Sequence, residues 1–388
     1  MFMKELRVAL FTGNYNHIKD GVSLTLNRWV KFLEDQGVPV LVFGPTIKEP
    51  ALDHNGRLVS LPSIRMPVSG RGEYRVASGI SQKAEQELEN FAPTLIHIAT
   101  PDLGGFRALR WAQKNGVQIV GSYHTHFTSY LKYYGLTPIE FIAWRYLSWF
   151  YNSLTQVYVP SRSMIEELEE HGFDPGMKIW ARGVNTTLFS PEKRDLKWRR
   201  ENGFDDDDIV VTFVSRLVWE KELATYRDAV QRVASRNKKV KPLVVGDGPA
   251  KAELQEQMPE AHYTGFLGGE DLAKAYASSD VFLFPSHTET FGNVTLEAMS
   301  SGLPCLVANA TGSKSLVEDG VNGKLAIPEN CTDFTKKLSL IVENKELRSK
   351  MGKASRKKAL QYEWEAINGK LLEYYKEALE EPVPVRHY

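Results

Sequence analysis

Short runs of apolar residues alternate along the whole chain with longer segments in which apolar and polar positions follow a helical period. The apolar runs are rich in valine and isoleucine, which is typical of parallel strands covered by helices on both faces. In the first half the pattern predicts strands at residues 6–11, 38–43, 94–99, 118–122 and 155–159. Helices are predicted between them at residues 24–36, 82–90 and 107–115.

The second half repeats this alternation. Strands are predicted at residues 209–215, 242–246, 261–265, 281–285 and 303–308, with helices at 226–235, 251–258, 271–278 and 293–301. Two doubly wound α/β units in series follow from the repetition. We place the first domain at residues 1–185, the second at 186–363, and a long amphipathic helix within 364–388 that could cross back to the first domain.

Composition narrows the class of protein. The 388 residues carry 48 Lys and Arg against 48 Asp and Glu, so the formal net charge is zero and nucleic acid is not an expected partner. The two cysteines lack metal-ligand spacing and are too few for a disulfide framework, which favours a reducing cytoplasm. The N-terminal residues do not resemble a signal peptide, and no apolar run reaches the length of a membrane span.

Two glutamates, eight positions apart, flank the turn after the strand predicted at 281–285. Glu289 lies in the loop, Gly292 follows, and Glu297 lies on the next helix. The first N–H groups of a helix lack intrahelical partners and can bind an anion. An anion site between two carboxylates suits a nucleotide sugar, whose diphosphate joins two polyols. The alternative is a purely structural turn, with Glu297 favourably placed near the positive end of its helix.

Further polar groups follow other predicted strands, where ligands of open α/β sheets bind. Arg216 and Lys221 follow the first strand of the second half and could reach a diphosphate, or form an ordinary charged exit in which Glu220 pairs with Lys221. Gly246 and Gly248 leave room for a base or ribose, or make a plain tight turn.

The first half offers weaker signals. The turn that precedes the helix at 24–36 includes Gly21 and Val22, where a ligand could approach the backbone closely, although the turn lacks the dinucleotide fingerprint. His124 and His126 follow the strand at 118–122, which favours a functional role for one of them. Their spacing could also suit a metal ion, but no third ligand cluster lies nearby in the sequence, so no metal site is predicted.

Together these segments resemble glycosyltransferase family 4, the retaining enzymes of GT-B fold. The resemblance covers nearly the whole chain and rests on segments 216–221, 246–249, 264–267 and 289–302. It implies an α/β protein with two Rossmann-like doubly wound domains whose parallel sheets face each other across a cleft. The implied reaction transfers a hexosyl group from a UDP- or GDP-sugar to an acceptor hydroxyl, with neither a cofactor nor a metal.

The resemblance also implies roles for individual residues. Glu297 would bind the ribose, and Glu289 and His124 the transferred sugar. Arg216 and Lys221 would stabilise the leaving diphosphate, so that His124, Arg216, Lys221 and Glu289 form the expected catalytic set. The expected donor-binding residues are Gly21, Val22, Gly246, Gly248, Phe266, Leu267, Phe291, Gly292, Asn293, Val294 and Glu297.

Segments 123–126, 130–135 and 158–161 look most like the lipid glycosyltransferases that act on diacylglycerol or glycolipids. Tyr130, Lys132, Tyr133 and Tyr134 are therefore expected on an acceptor or membrane side. Aromatic residues mixed with Lys and Arg across residues 127–151 suit a membrane surface on the cytoplasmic side. The alternative is that residues 141–151 form a buried helix.

Three competing functions remain open at this point. A nucleotide-sugar epimerase of the same fold would need no acceptor. A transferase of this family could act on a soluble or polysaccharide acceptor. A regulatory protein could bind the nucleotide sugar without catalysis, although the presence of Glu289, Glu297 and His124 together speaks against it.

Overall fold

A computed structural model describes residues 5–65, 74–124, 137–289, 291–310 and 312–383. The chain divides into two compact units. The first unit comprises Met1–Trp180 together with Ile367–Tyr388, and the second comprises Ala181–Ala366. Each unit is described separately below.

The first unit is built on a sheet of seven parallel strands. The strands of this unit are β1 Val8–Phe11, β2 Val40–Gly44, β3 Arg57–Ser60, β4 Ser63–Arg65, β5 Arg75–Ala77, β6 Leu95–Ile98, β7 Gln118–Ser122, β8 Gln156–Val159 and β9 Gly176–Ile179. The order across the large sheet is β3-β2-β1-β6-β7-β8-β9, while β4 and β5 form a separate antiparallel pair. The five predicted strands are all present, with ends that differ by up to two residues.

In the described part of residues 5–180, the helices are α1 Gly21–Asp35, α2 Gln82–Phe91, α3 Leu103–Asn115, α4 Thr137–Tyr151 and α5 Arg162–Glu170. Helix α1 starts three residues earlier than predicted because Asp20 caps it, accepting a hydrogen bond from the Ser23 backbone while the Ser23 hydroxyl bonds the Asp20 backbone. Gly21 and Val22 are therefore the first helical residues, and the prediction that they belong to the preceding turn was wrong.

Two clusters of buried side chains form the core of the first unit, and each contains residues from β1 and β6. Side chains that point to opposite faces of the sheet thus belong to different clusters, as expected for a sheet covered on both faces. Leu371, Tyr375 and Ala378 of the C-terminal helix, Trp364–Glu380, belong to the second cluster, which also contains Trp29. The Trp29 and Tyr375 rings meet edge to face with centroids 5.2 Å apart.

The second unit contains a sheet of six parallel strands. They are β10 Ile209–Val214, β11 Val240–Val245, β12 His262–Gly265, β13 Val281–Phe284, β14 Cys305–Ala308 and β15 Gly323–Ala326. The order β12-β11-β10-β13-β14-β15 reverses direction between β10 and β13, which is the arrangement of a doubly wound dinucleotide-binding sheet. The predicted α/β class with two doubly wound units is confirmed.

The helices of the second unit are α6 Leu196–Glu201, α7 Leu223–Arg236, α8 Lys251–Gln257, α9 Gly269–Ala277, α10 Asn293–Ser300, α11 Ser313–Leu316, α12 Cys331–Glu343 and α13 Lys345–Ala359. Short 3₁₀ turns lie at Pro191–Lys193, Trp219–Lys221 and Leu360–Tyr362. Among the residues that the structure describes, no helix is both long enough and apolar enough to cross a membrane.

Candidate active site

The turn between β13 and α10 forms the centre of the candidate site in the second unit. Gly292 precedes α10 with φ of 94°, and no side chain caps the helix. A Cβ on Gly292 would lie 2.8 Å from the Ser313 hydroxyl, so the position is restricted to glycine by both conformation and space. A Cβ on Gly312 would lie 2.3 Å from the Glu289 carbonyl oxygen, so this loop also packs tightly. An eight-residue helix thus begins without a side-chain cap, and its first N–H groups suit an anion.

Lys221 and Glu289 meet beside this turn. The Lys221 Nζ atom lies 2.6 Å from Glu289 Oε1, and the two side chains are 18% and 21% exposed. The Ser286 hydroxyl lies 3.3 Å from the same oxygen. The alternative in which Lys221 pairs with Glu220 is therefore not the arrangement found. A cation and a carboxylate are held in place together, 68 positions apart in the chain.

Glu297 lies on α10 against a buried tyrosine. The Tyr276 hydroxyl lies 3.3 Å from Glu297 Oε2 and 3.2 Å from the Val294 carbonyl oxygen. Burial, and secondarily the negative charge of Glu297, raise the pKa of Tyr276 well above its ordinary value. The phenol therefore stays protonated and serves as a hydrogen-bond donor that orients the carboxylate.

The turns after β10 and β11 pack directly on each other. The Leu217 N–H donates to the Asp247 carbonyl over 2.9 Å. A Cβ atom on Gly246 would lie 1.9 Å from the carbonyl oxygen of Ser215, and a Cβ atom on Gly248 would lie 2.4 Å from the carbonyl oxygen of Leu217. The two glycines therefore allow this close approach of backbones, which brings the exposed Arg216 next to the glycine turn.

An exposed aromatic ring follows the neighbouring strand, β12. Phe266 is 78% exposed, follows β12, and is succeeded by the half-buried Leu267. The Gly246 N–H donates to the Gly265 carbonyl oxygen over 2.8 Å. Phe266 is the next residue after Gly265, so its ring starts close to the turn that contains Gly246 and Gly248. An exposed ring here could stack on a nucleobase. Phe291, in contrast, is buried, with its ring centroid 6.1 Å from that of Tyr362.

One cluster in the described part of the second unit has the ligand types of a metal site: Glu222, His287 and Glu329. His287 Nδ1 lies 4.0 Å from Glu222 Oε1, and Nε2 lies 3.6 Å from Glu329 Oε1. An imidazole coordinates an ion through one nitrogen, with its other nitrogen turned to an outer partner. The two carboxylates face opposite ring nitrogens of His287.

The remaining predicted residues belong to the first unit. His124 is 7% exposed, its Nε2 lies 2.7 Å from the Ser122 hydroxyl, and its ring meets that of Trp180 with centroids 5.3 Å apart. Gly21 is exposed at the start of α1, and Val22 is half-buried. Tyr130, Lys132, Tyr133 and Tyr134 lie outside the described residues, as does His126.

Comparison with known proteins decides the family. Residues 19–188 match the family described as "Glycosyltransferase Family 4", and residues 195–358 match "Glycosyl transferases group 1". The chain is 31% identical over 385 residues to a GDP-mannose-dependent alpha-mannosyltransferase of Mycolicibacterium smegmatis, covering 96% of this chain and 98% of that protein. The chain belongs to glycosyltransferase family 4. It is a hexosyltransferase, and the predicted resemblance is confirmed.

Other proteins show similar matches. The sulfoquinovosyl transferase SQD2 of Arabidopsis thaliana is 30% identical over 380 residues, which cover 95% of this chain and 73% of SQD2. An alpha-monoglucosyldiacylglycerol synthase of Streptococcus pneumoniae is 25% identical over 337 residues, 84% of this chain and 76% of that enzyme. Sucrose-phosphate synthase from Thermosynechococcus elongatus has a similar fold, with a TM-score of 0.78 at 18% identity over 97% of this chain and 99% of that one. The GT-B fold class is thus confirmed.

Sequence reasoning did not identify several polar residues that support the candidate site. Tyr276 and Ser286 contact the two glutamates, but neither is part of a recognisable pattern in the sequence. His97 is different, because a histidine among the apolar residues of a predicted buried strand requires a hydrogen-bond partner. That signal could have marked His97, though not the residues it contacts.

Proposed function

We propose that this family 4 enzyme transfers a hexosyl residue from a nucleoside-diphosphate hexose to a membrane lipid, with retained anomeric configuration and without a metal ion. The observation that carries the proposal is the arrangement in the second unit. Glu289 paired with Lys221, and Glu297 held by Tyr276, lie on the loop and helix around the uncapped start of α10. GDP-mannose is the first donor to test, because the relative from Mycolicibacterium smegmatis is a GDP-mannose-dependent mannosyltransferase.

The proposed chemistry breaks the bond between the anomeric carbon and the diphosphate. A new bond forms on the same face to the acceptor oxygen, and the acceptor proton passes to the leaving phosphate oxygen. Arg216, Lys221 and the N–H groups at the start of α10 would stabilise negative charge as it grows on the diphosphate. This set combines two cations with the dipole of a helix, which supports departure of the phosphate without a metal.

Glu297 would bind the ribose hydroxyls, because a carboxylate oriented by Tyr276 presents fixed acceptors. Glu289 would accept hydrogen bonds from hydroxyls of the transferred hexose, while its contact with Lys221 keeps the charge of the pair balanced. Phe266 would stack on the base. His124, Gly21 and Val22 are proposed to contribute to donor binding from the first unit.

A lipid acceptor is supported by the names of the relatives and by one helix face. The pneumococcal relative is named as a synthase of a glucosyl diacylglycerol. Helix α4 buries Trp144, Leu147, Phe150 and Tyr151 but leaves Phe141 and Ile142 exposed by 67% and 64%. The exposed Arg145 guanidinium lies 5.7 Å from the Phe141 ring centroid. Apolar side chains beside a cation suit shallow insertion among anionic headgroups, so we propose that α4 contacts the membrane surface.

Acceptor-dependent release of nucleotide tests the proposal. The purified protein is incubated with GDP-mannose or UDP-glucose, with and without diacylglycerol or glycolipid in vesicles, and the free nucleoside diphosphate is measured. We expect release that requires the lipid and persists in a chelator. Conversion of the sugar nucleotide without an acceptor would indicate an epimerase. Binding without turnover would indicate a regulatory protein, and turnover on a soluble glycan alone would exclude the lipid acceptor.

A further inference from the structure

A chain of hydrogen bonds runs through the core of the first unit and ends on His124. The Trp29 indole Nε1 lies 2.9 Å from the Tyr375 hydroxyl, which in turn contacts His97 Nδ1. His97 Nε2 lies 2.7 Å from the Ser122 hydroxyl, and that hydroxyl lies 2.7 Å from His124 Nε2. All five side chains are buried, and they come from α1, the C-terminal helix, β6, β7 and the residues just after β7.

Trp29, the first residue in this chain of hydrogen bonds, determines which group donates in each of the other bonds. An indole nitrogen can only donate, so the Tyr375 oxygen accepts from Trp29 and its own hydrogen turns to His97 Nδ1. Burial raises the pKa of Tyr375 and lowers the pKa of His97 to about 3, so the phenol is protonated and the imidazole is neutral. His97 therefore carries its proton on Nε2 and donates it to the Ser122 oxygen.

If the hydrogen bonds ran in the opposite direction, the buried hydroxyl hydrogen of Tyr375 would have no acceptor. If His97 donated from Nδ1, the Tyr375 oxygen would accept twice, and the described residues offer its hydrogen no other acceptor. A buried polar hydrogen without a partner is energetically costly, so this direction is disfavoured. With the first direction, the Ser122 hydrogen turns to His124 Nε2, which must then accept.

We propose that Ser122 and Tyr375 are positioning residues that hold His124 as the neutral tautomer with its proton on Nδ1. The ring then acts as an N–H donor from Nδ1, because its acceptor nitrogen is committed to Ser122. This defines the state of His124 within the proposed function, on which its value for catalysis rests: a neutral imidazole whose proton is on Nδ1. Tyr375 makes this tautomer dependent on the C-terminal helix, 251 positions beyond His124.

Nuclear magnetic resonance of the full-length protein labelled with ¹⁵N-histidine tests the proposal directly. Ring nitrogen shifts distinguish the two neutral tautomers, and loss of a signal in a His124→Gln variant assigns the resonance among the nine histidines. Wild type is compared with Ser122→Ala, Tyr375→Phe and the conservative Ser122→Thr. Tyr158→Phe is the matched control, because Tyr158 bonds Gln156 and packs with its ring 5.9 Å from that of His97, outside the hydrogen-bond chain.

We expect the Nδ1–H tautomer for His124 in wild type, Tyr158→Phe and Ser122→Thr, and a mixture of tautomers in Ser122→Ala and Tyr375→Phe. The variants with mixed tautomers should lose roughly tenfold in kcat/KM, about the loss of one hydrogen bond in the transition state. An Nε2–H tautomer in wild type, or one unaffected by Ser122→Ala and Tyr375→Phe, would overturn the proposal. The tautomer is measured without substrate, so absence of transferase activity would contradict the proposed function and leave this result standing.

Discussion

Lys221 Nζ lies 2.6 Å from Glu289 Oε1, joining the residue expected at the leaving diphosphate to the residue expected at the sugar. Each side chain is about one-fifth exposed, so neither charge is fully desolvated and the pair contributes modestly to stability. The contact instead fixes where a cation and a carboxylate stand relative to each other. Its effect should therefore be larger on turnover than on folding.

Lys221→Met and Glu289→Gln should each lower kcat/KM by on the order of 100-fold, because fixed charges act most strongly where charge develops in the transition state. The double variant should lose less than the product of the two single losses, since the residues act as a pair. The free energy of unfolding should change by less than about 1 kcal/mol. Steady-state kinetics and urea unfolding measure these effects.

Lys337→Met is the matched control for this experiment. Lys337 lies 2.7 Å from Asp333, and the two side chains are 26% and 16% exposed, which resembles the burial of the Lys221–Glu289 pair. Replacing Lys337 by methionine should leave kcat/KM unchanged. Equal losses in Lys337→Met and Lys221→Met, or wild-type turnover in Lys221→Met, would contradict the assignment.

Glu297→Ala should weaken binding of the nucleoside diphosphate by about 1.5–3 kcal/mol, since charge-assisted hydrogen bonds to the ribose are lost. Tyr276→Phe should weaken it by about 1 kcal/mol, because the carboxylate stays but loses the donor that orients it. Calorimetric titration with GDP and UDP provides the measurement. Unchanged affinity in Glu297→Ala would remove the ribose role.

The buried His97 should make the first unit sensitive to acid. Burial lowers the pKa of His97 to about 3, below the value of about 6.5 expected in the unfolded chain. Below about pH 6.5 the unfolded chain therefore binds a proton that the folded protein does not. This costs about 1.4 kcal/mol of stability for each pH unit until the folded pKa is approached.

Denaturant unfolding of wild type and His97→Gln between pH 7 and pH 4.5 isolates this contribution. Other buried histidines, such as His17, also have a lowered pKa, but they are common to both proteins and cancel in the comparison. The wild type should lose stability more steeply on acidification than His97→Gln. Parallel pH dependence in the two proteins would show that His97 is not protonated preferentially on unfolding.

Contact between α4 and a membrane can be tested on the exposed apolar residues. Replacing both Phe141 and Ile142 by serine should lower affinity for anionic vesicles at least tenfold, because each buried side chain contributes about 1.5–3 kcal/mol. Arg145→Glu should weaken binding mainly at low salt. Ile327→Ser, which removes a 57% exposed isoleucine from the second unit, is the control. Equal vesicle binding by all variants in co-sedimentation would exclude α4 as the contact.

The central strands were predictable because their residues are apolar and buried throughout. All residues of β1, β13 and β14 are apolar and buried, and an uninterrupted apolar run is a strong strand signal. The edge strands β3 and β9 were not predicted. Arg57–Ser60 and Gly176–Ile179 are partly exposed and carry charged residues, so neither has the continuous apolar run that marks a buried strand.

The candidate site was predictable only where its residues are close in sequence. Glu289, Gly292 and Glu297 lie within nine consecutive residues, so local pattern was sufficient to group them. The pairing of Lys221 with Glu289, and the contacts of His97 with Ser122 and Tyr375, join residues that are 25 to 278 positions apart. Such contacts depend on strand order and helix packing, which the periodicity of one sequence does not specify.

The anomeric configuration of a lipid product tests whether this protein is a retaining lipid hexosyltransferase. The purified protein is given a ¹³C-labelled, α-linked nucleoside-diphosphate hexose and vesicles that contain the lipid acceptor, in the presence of a chelator. The extracted lipid is then examined by nuclear magnetic resonance at the anomeric carbon. We expect a lipid that carries the hexose in α linkage, formed at the same rate with and without the chelator. A β-linked product, or a donor that binds and never yields a hexosyl lipid, would contradict the proposed function.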